Sequence, residues 1–211
     1  MAISSIVFLP FASFSTYTLY SLSSLVLITI SILKGWFNVS KIKGLLLTYI
    51  PTIIFILISL ALINDTYLWN RIINAFFPSL DPMGSGWMAI QSREILSNAK
   101  FIGEGLGGNS GYMMPNIDTD FLLTFLIHRF GWISLIIIVS IFALLIIKSL
   151  KLCLKQNSIL GSLVSLSVVI TISTQIAIYI GYNLGFQLIS PLTLPLISYG
   201  GSGIVINLFL I

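Results

Sequence analysis

Long apolar stretches without charged side chains constrain this chain more than any other feature. Residues 44–63, for example, contain no charged side chain over 20 positions. As a helix, a stretch of that length spans the hydrocarbon core of a bilayer, which is about 30 Å thick. Only 8% of the 211 residues are charged, against about 25% in an ordinary soluble domain. The composition excludes a soluble enzyme and predicts an all-α polytopic membrane protein.

Four stretches are long enough to cross a bilayer as helices, and a fifth is shorter. The four are residues 17–33, 44–63, 121–147 and 159–184. The fifth starts near Gly200 and reaches only about 18 Å as a helix, so we expect it to be re-entrant or incomplete. Pro51 either kinks the second span or starts a later helix.

The charges are segregated along the chain. All six acidic residues lie between positions 65 and 120, and six of the seven lysines lie in two tracts without an acid: Lys34, Lys41, Lys43, and Lys148, Lys151, Lys155. Lysine-rich short loops stay on the cytoplasmic side. We therefore expect both tracts in the cytoplasm and the loop of residues 64–119 outside. The basic residues form no nucleic-acid-binding stripe, and one cysteine and one histidine exclude a disulfide framework or a His/Cys metal site.

The 64–119 loop is too long to be a passive connector. Its residues 66–77 are rich in aromatic side chains, which settle at the headgroup level, and a short amphipathic helix is predicted from Trp87 to about Asn98. A glycine-rich run follows at residues 103–111. A tight turn and a backbone-amide cradle for phosphate both remain open for this run. Its formal G-x-G-x-x-G pattern lacks the strand and helix of a dinucleotide site.

Asp120 is the acidic residue at the start of the third predicted span. Counted back from Lys148, 28 residues of straight helix cover about 42 Å, which places Asp120 at or just above the outer headgroups. There it could meet a lipid-linked substrate, or it could cap the helix and complement its dipole. Thr124 and His128 are expected on the same helix face. For His128, proton transfer and hydrogen-bonded packing both remain open.

Other polar groups in the predicted spans have two interpretations each. Gln175 and Asn183 either hydrogen-bond between helices or line a site. Arg129 either faces a cavity or snorkels outward. The irregular run at residues 195–203 is either an outer loop or the lining of a watery cavity.

Short motifs from about Trp69 to the end of the chain are similar in order and spacing to those of a known family. They are Arg71-Ile72 with Pro78 and Asp81-Pro82, Gln91-Ser92, the run from Gly103 to Ser110, the P-N-I-D-T-D-F segment at 115–121, Gly131, and the P-L-I-S-Y-G-G-S segment at 195–202. Together they resemble the SEDS polymerases of bacteria, the family of RodA, FtsW and SpoVE. By this resemblance, we expect residues 1–211 to form a single SEDS-like membrane domain. It matches roughly the C-terminal half of a family member and is divergent and truncated.

The resemblance implies a peptidoglycan glycosyltransferase of the bacterial cytoplasmic membrane, acting in division, elongation or sporulation. Such an enzyme polymerises lipid II, the undecaprenyl-diphosphate-linked disaccharide pentapeptide, into glycan strands. The essential carboxylate of the family falls on Asp120, which then acts as general base toward the acceptor hydroxyl. A class B penicillin-binding protein is the implied partner. The implied cofactor is a divalent cation, Mg²⁺ or Mn²⁺, with Asp120 as its candidate ligand.

A substrate-binding set follows from the resemblance and from the predicted outer positions. It comprises Gln91, Ser92, Arg93, Lys100, Gly103, Gly105, Gly107, Thr119, Gln175, Ser198, Tyr199, Gly200, Gly201 and Ser202. Arg93 and Lys100, together with Arg71 and Arg129, are the basic residues that we expect on the side of the diphosphate.

Departures from the family pattern keep other hypotheses open. The Q-P-D-x-G-T motif should fall at residues 11–16, where the sequence is F-A-S-F-S-T, and the E-E pair falls on His128 and Arg129. These differences motivate an alternative hypothesis, a degenerate, non-catalytic SEDS paralogue that acts as a membrane partner or scaffold. A transporter of lipid-linked precursors is a third hypothesis, which only the polytopic architecture supports.

Overall fold

The regular secondary structure of the described residues is helical. The computed structural model describes residues 14–62, 73–84, 86–103, 105, 115–117, 119–187, 192 and 194. Within these ranges there is no strand, in agreement with the predicted all-α class. The helices are α1 (Phe14–Leu33), α2 (Lys41–Leu62), α3 (Trp87–Ser97), α4 (Leu122–Phe130), α5 (Trp132–Leu154) and α6 (Ile159–Asn183), with a 3-10 helix at Pro78–Leu80 before α3.

Most predicted helices agree with the observed ones to within a few residues. The helix α2 begins at Lys41 and continues through Pro51, so Pro51 lies inside a helix and does not start one. The helix α6 begins at Ile159, as predicted for the fourth span. The amphipathic helix predicted from Trp87 is α3. The predicted fifth segment, from Gly200 onward, lies outside the described residues.

The predicted third span is wrong as a single helix, because the chain breaks at Gly131 into α4 and α5. Gly131 has a φ of +82°, a region that glycine enters without a steric cost. A Cβ at this position would collide with the carbonyl of Phe101 and the amide of Gly103. Since the helix is broken, the straight-helix count from Lys148 to Asp120 is also wrong. Asp120 instead precedes a helix of nine residues.

Two helices, α5 and α6, are long and apolar enough to cross a membrane among the residues that the structure describes. Along α5, large apolar side chains are about half exposed; they include Ile136, Ile137, Ile141, Leu144 and Ile147. A soluble monomer rarely exposes so large an apolar surface to water. A membrane-spanning helix exposes such a surface to lipid. The expected total of about four full spans stays a prediction.

The chain divides into two compact units, of which the first comprises residues 1–70 and 149–174. Its core contains Cys153 and Leu166, with Trp36 packed against them. The single cysteine of the chain is therefore buried and part of the packing.

The second unit comprises residues 71–148 and 175–211. Its core contains Ile95 of α3, Phe121 at the start of α4 and Tyr182 near the end of α6. The rings of Phe121 and Tyr182 are 5.2 Å apart between centroids. The predicted site residues that the structure describes belong to this unit.

We predict that Gly131→Ala destabilises the protein by about 1–3 kcal/mol. The new Cβ would collide with backbone atoms, and alanine would have to keep a positive φ. Denaturant unfolding of the reconstituted chain measures the free-energy change. The matched control is Gly181→Ala in α6, where a Cβ meets nothing within 4 Å. That variant is expected to be unchanged or stabilised by up to about 1 kcal/mol; equal destabilisation by both substitutions would contradict this explanation of the break.

Candidate functional site

A compact turn before α4 presents Asp120. Asn116 adopts a φ of +58°, which asparagine tolerates better than most residues. Its carbonyl accepts hydrogen bonds from the N–H groups of Thr119, Asp120 and Phe121 at 3.2, 3.0 and 3.3 Å. Phe121 is the N-cap residue of α4 and makes no side-chain cap bond. Asp120 therefore belongs to the turn, and it does not occupy the capping position that was one of its two predicted roles.

Asn183 at the end of α6 fixes the backbone of this turn. Its side chain is fully buried, and its Nδ2 donates to the carbonyls of Asp120 at 2.9 Å and Tyr179 at 3.1 Å. Its Oδ1 accepts from the N–H and the hydroxyl of Thr124, each at 3.0 Å. These bonds use the full hydrogen-bonding capacity of the amide. They confirm the prediction that Asn183 hydrogen-bonds between helices.

Tyr179 holds the same turn from one helical turn earlier. Its hydroxyl accepts a hydrogen bond from the N–H of Leu123 at 3.3 Å and donates to the carbonyl of Thr119 at 3.4 Å. The side chain is fully buried. Tyr179 is not among the predicted site residues, although its spacing of four residues from Asn183 puts both side chains on one face of α6.

The Asp120 carboxyl itself is partly buried and its backbone is anchored. Burial raises the pKa of the carboxyl above its ordinary value, and a hydrogen bond from the side chain of Thr119 opposes that rise. A carboxylate with a raised pKa is a stronger proton acceptor than an exposed aspartate, as a general base requires. Because Asn183 binds the carbonyl of Asp120, this anchoring does not consume the carboxylate.

Thr124 and His128 lie on α4, but Asp120 does not share their helix face as predicted, because it precedes the helix. Thr124 is fully buried against Asn183. His128 and Arg129 occupy the last turn of α4, where the positive charge of Arg129 complements the helix dipole. The guanidinium of Arg129 lies 5.6 Å from the ring centroid of Phe125, within cation–π range.

The described part of the glycine run lies at the opposite end of α4 from Asp120. The N–H of Gly105 donates to the carbonyl of Arg129 at 2.9 Å, and a Cβ at Gly103 would collide with that same carbonyl. The nine residues of α4 cover about 13.5 Å. The described glycines therefore pack against the α4–α5 break, and the structure does not bring them to Asp120. Gly107 lies outside the described residues.

Arg93 connects α3 to the end of α6. Its Nη2 donates to the carbonyls of Ala75 at 3.3 Å and Gly185 at 3.0 Å, and its guanidinium lies 5.9 Å from the ring centroid of Phe186. Gly185 has a φ of +92°, and a Cβ there would lie 2.7 Å from the Arg93 side chain. This predicted substrate-binding residue is thus held by backbone carbonyls and an aromatic ring.

The other predicted binding residues are dispersed over the second unit. Ser92 is fully buried and its hydroxyl donates to the carbonyl of Ala89 at 3.1 Å, so it contributes to the packing of α3. Gln91 and Gln175 are partly buried, and Lys100 is exposed. The segment from Ser198 to Ser202, which includes Tyr199, Gly200 and Gly201, lies outside the described residues.

No group of three or more His, Cys, Asp or Glu side chains comes together within the part of the chain that the structure describes. An all-protein cation cage is therefore absent from those residues. Mg²⁺ is commonly bound through one or two carboxylates together with substrate phosphates. A single carboxylate such as that of Asp120 would be enough for binding of this kind.

The whole chain, residues 1–211, matches the profile of the cell cycle protein family that comprises FtsW, RodA and SpoVE. It is 28% identical over 149 residues to the probable peptidoglycan glycosyltransferase FtsW of Trichlorobacter lovleyi, covering 70% of this chain and 39% of that protein. It is 29% identical over 170 residues to the protein of the same name in Geobacter metallireducens, covering 80% and 44%.

A third relative is the stage V sporulation protein E of Bacillus subtilis, 30% identical over 148 residues, which cover 69% of this chain and 40% of that protein. The chain thus spans less than half the length of these curated relatives. The fold is similar to a chain of a solved peptidoglycan synthase complex, with a TM-score of 0.64 at 18% identity, over 98% of this chain and 57% of that one.

Proposed function

The chain belongs to the FtsW, RodA and SpoVE family of cell cycle proteins, and from this premise we propose that it polymerises lipid II into glycan strands during bacterial cell-wall synthesis. One observation carries the proposal. Asp120, the aspartate of the T-D-F motif, is fixed through its backbone carbonyl by the buried Asn183. Its carboxylate remains available for chemistry. Relatives named probable peptidoglycan glycosyltransferase support the assignment.

In the proposed reaction, the Asp120 carboxylate accepts the proton of the acceptor sugar hydroxyl. That hydroxyl oxygen forms the new glycosidic bond at the anomeric carbon of the donor, and the bond from this carbon to the undecaprenyl diphosphate breaks. The diphosphate leaves with the electron pair. A backbone fixed by buried hydrogen bonds favours this step because it holds the base in one position relative to the attacking oxygen.

We propose that the reaction takes place at the outer surface of the cytoplasmic membrane, in a multi-pass protein. The segregation of charge supports this orientation, with the lysine tracts inside and the 64–119 loop outside. The two apolar helices α5 and α6 provide candidate spans.

The diphosphate leaving group requires positive charge. Of the basic residues predicted to supply it, Arg93 is bound to backbone carbonyls, Arg129 lies over Phe125, and Lys100 is exposed. We propose that a divalent cation, Mg²⁺ or Mn²⁺, would add to this charge, with Asp120 as its candidate protein ligand beside the substrate phosphates. When bound, it would supply electrostatic stabilisation of the leaving diphosphate.

A class B penicillin-binding protein is the proposed partner, which would crosslink the strands. The support is the similarity to a chain of a peptidoglycan synthase complex that coordinates polymerization and crosslinking.

The function is tested by incubating the chain, purified in bilayer nanodiscs, with lipid II and Mg²⁺ or Mn²⁺. We expect a ladder of glycan strands on a gel, and we expect EDTA to reduce it at least about 10-fold, because the substrate diphosphate then lacks its counter-charge. A heat-denatured sample is the control. If the intact chain forms no polymer under these conditions, it is not a polymerase by itself.

A non-catalytic membrane partner is the second candidate, and the engagement of Arg93 with protein carbonyls favours it. It predicts no glycan product, together with co-purification of a cell-wall protein that survives Asp120→Asn. The polymerase proposal predicts the product, and its loss in that variant.

A further inference from the structure

We propose that Phe101 and Ile102 form a membrane anchor, which inserts into the headgroup region of the bilayer that α5 crosses. The proposed partner of the loop that carries these two residues is a lipid surface. It rests on the insertion of α5 into a membrane, and it does not depend on glycosyltransferase activity.

The two side chains are strongly exposed although both are apolar. Phe101 is 63% exposed and Ile102 is 71% exposed, and both follow α3 in a segment without regular secondary structure. Isolated exposed apolar residues are common on proteins. Two adjacent exposed apolar residues beside a further apolar surface indicate a contact with an apolar partner.

Backbone hydrogen bonds hold this segment at the first turn of α5. The N–H of Trp132 donates to the carbonyl of Lys100 at 3.2 Å, and the N–H of Ile133 donates to the carbonyl of Phe101 at 3.3 Å. On the other side, Gly131 packs so closely against Phe101 that a Cβ would collide with its carbonyl. The anchor is therefore fixed to the start of α5.

The anchor is held beside the first turn of α5, which also exposes apolar side chains. Phe130 and Ile133, beside the anchor, are 39% and 38% exposed, and the more exposed Ile136 and Ile137 follow within the next turn. Apolar side chains of interfacial segments, phenylalanine among them, are buried about 5–10 Å into the boundary between headgroups and acyl chains. Because lipid covers the apolar face of α5, lipid is also the occupant that fits the anchor.

The anchor and Asp120 lie at opposite ends of α4. Nine helical residues, a length of about 13.5 Å along the helix axis, separate them.

Nitroxide spin labels test the proposal by their depth in the membrane. Cys153 is replaced by alanine, and single cysteines are introduced by Phe101→Cys, Ile102→Cys, Ile141→Cys in the middle of α5, and Asn157→Cys in the polar segment after α5. The full chain is reconstituted in vesicles of phosphatidylcholine and phosphatidylglycerol. Collision rates with oxygen, which partitions into lipid, and with nickel-EDDA, which stays in water, report the depth.

We expect Ile141→Cys to collide mainly with oxygen and Asn157→Cys mainly with nickel-EDDA. The labels at 101 and 102 should give intermediate ratios at the headgroup boundary, within about 5–10 Å of the surface. If both match the label at 157 while the label at 141 is in lipid, the anchor is refuted. If the label at 141 is also in water, the membrane assignment of α5 fails and the anchor fails with it. Neither outcome depends on lipid II.

Discussion

Asp120→Asn is expected to lower the rate of glycan polymerisation from lipid II by about 10²-fold or more, the range found when a general base is removed. Asparagine has nearly the same shape as aspartate but accepts a proton far less readily. The hydrogen bond from Asn183 is made to the carbonyl of residue 120, so the variant should keep the turn and the fold. The loss is therefore expected in the rate of the chemical step. Initial rates of strand formation in nanodiscs measure it.

The matched control is Glu94→Gln, which removes one negative charge from an exposed position on α3. We expect its rate to stay within about twofold of the unmodified chain, because surface substitutions of this kind have small effects. A wild-type rate in Asp120→Asn would refute the catalytic assignment. An equal loss in both variants would assign the effect to net charge and not to the carboxylate of Asp120.

Asn183→Leu is expected to lower the free energy of unfolding by about 2–4 kcal/mol, because it leaves several buried polar groups without partners. Leucine is similar in size, but it cannot bond the carbonyl of Asp120 or the N–H of Thr124. The turn that carries Asp120 also loses its anchor, so we expect polymerisation to fall as well. Denaturant unfolding of the reconstituted chain measures the stability.

The control on the same helix is Thr174→Val, since the hydroxyl of Thr174 bonds only within α6, to the carbonyl of Ile170. Its effect is expected to be below about 0.5 kcal/mol. Combining Asn183→Leu with Thr124→Val should show a coupling energy above about 0.5 kcal/mol, because the two side chains share hydrogen bonds. If the two changes in the free energy of unfolding are strictly additive, the hydrogen bonds that the two side chains share contribute no coupling energy.

Hydrophobic periodicity and length identify α3 and α6 well, because the start of each is marked in the local sequence. The break at Gly131 is not marked in this way. One glycine in a long apolar run costs only about 1 kcal/mol in a helix, so the sequence around it favours a continuous span. The break depends on backbone atoms of Lys100, Phe101, Gly103 and Gly105, which lie about 30 positions earlier in the chain.

The candidate catalytic residue could be predicted from one acidic side chain at the edge of an apolar run, together with the T-D-F motif. The hydrogen bonds that fix its backbone could not be predicted, because the bonds from Asn183 and Tyr179 join positions about 60 residues apart. Arg93 illustrates the same limit: sequence reasoning placed it against a diphosphate, whereas its guanidinium bonds the carbonyl of Gly185, 92 positions away. A local sequence shows which chemical groups are present, but it does not show which distant segments they contact.

The central claim is that the Asp120 carboxylate acts at the outer surface of the membrane, where it meets a lipid-linked sugar. Pro115→Cys, at an exposed position in the turn before Asp120, and Lys155→Cys, after α5, test it directly when Cys153 is replaced by alanine. Intact cells are treated with a membrane-impermeant maleimide. We expect position 115 to react in intact cells and position 155 to react only after the membrane is permeabilised. The reverse pattern would place Asp120 on the cytoplasmic side and refute an outer position of its carboxylate.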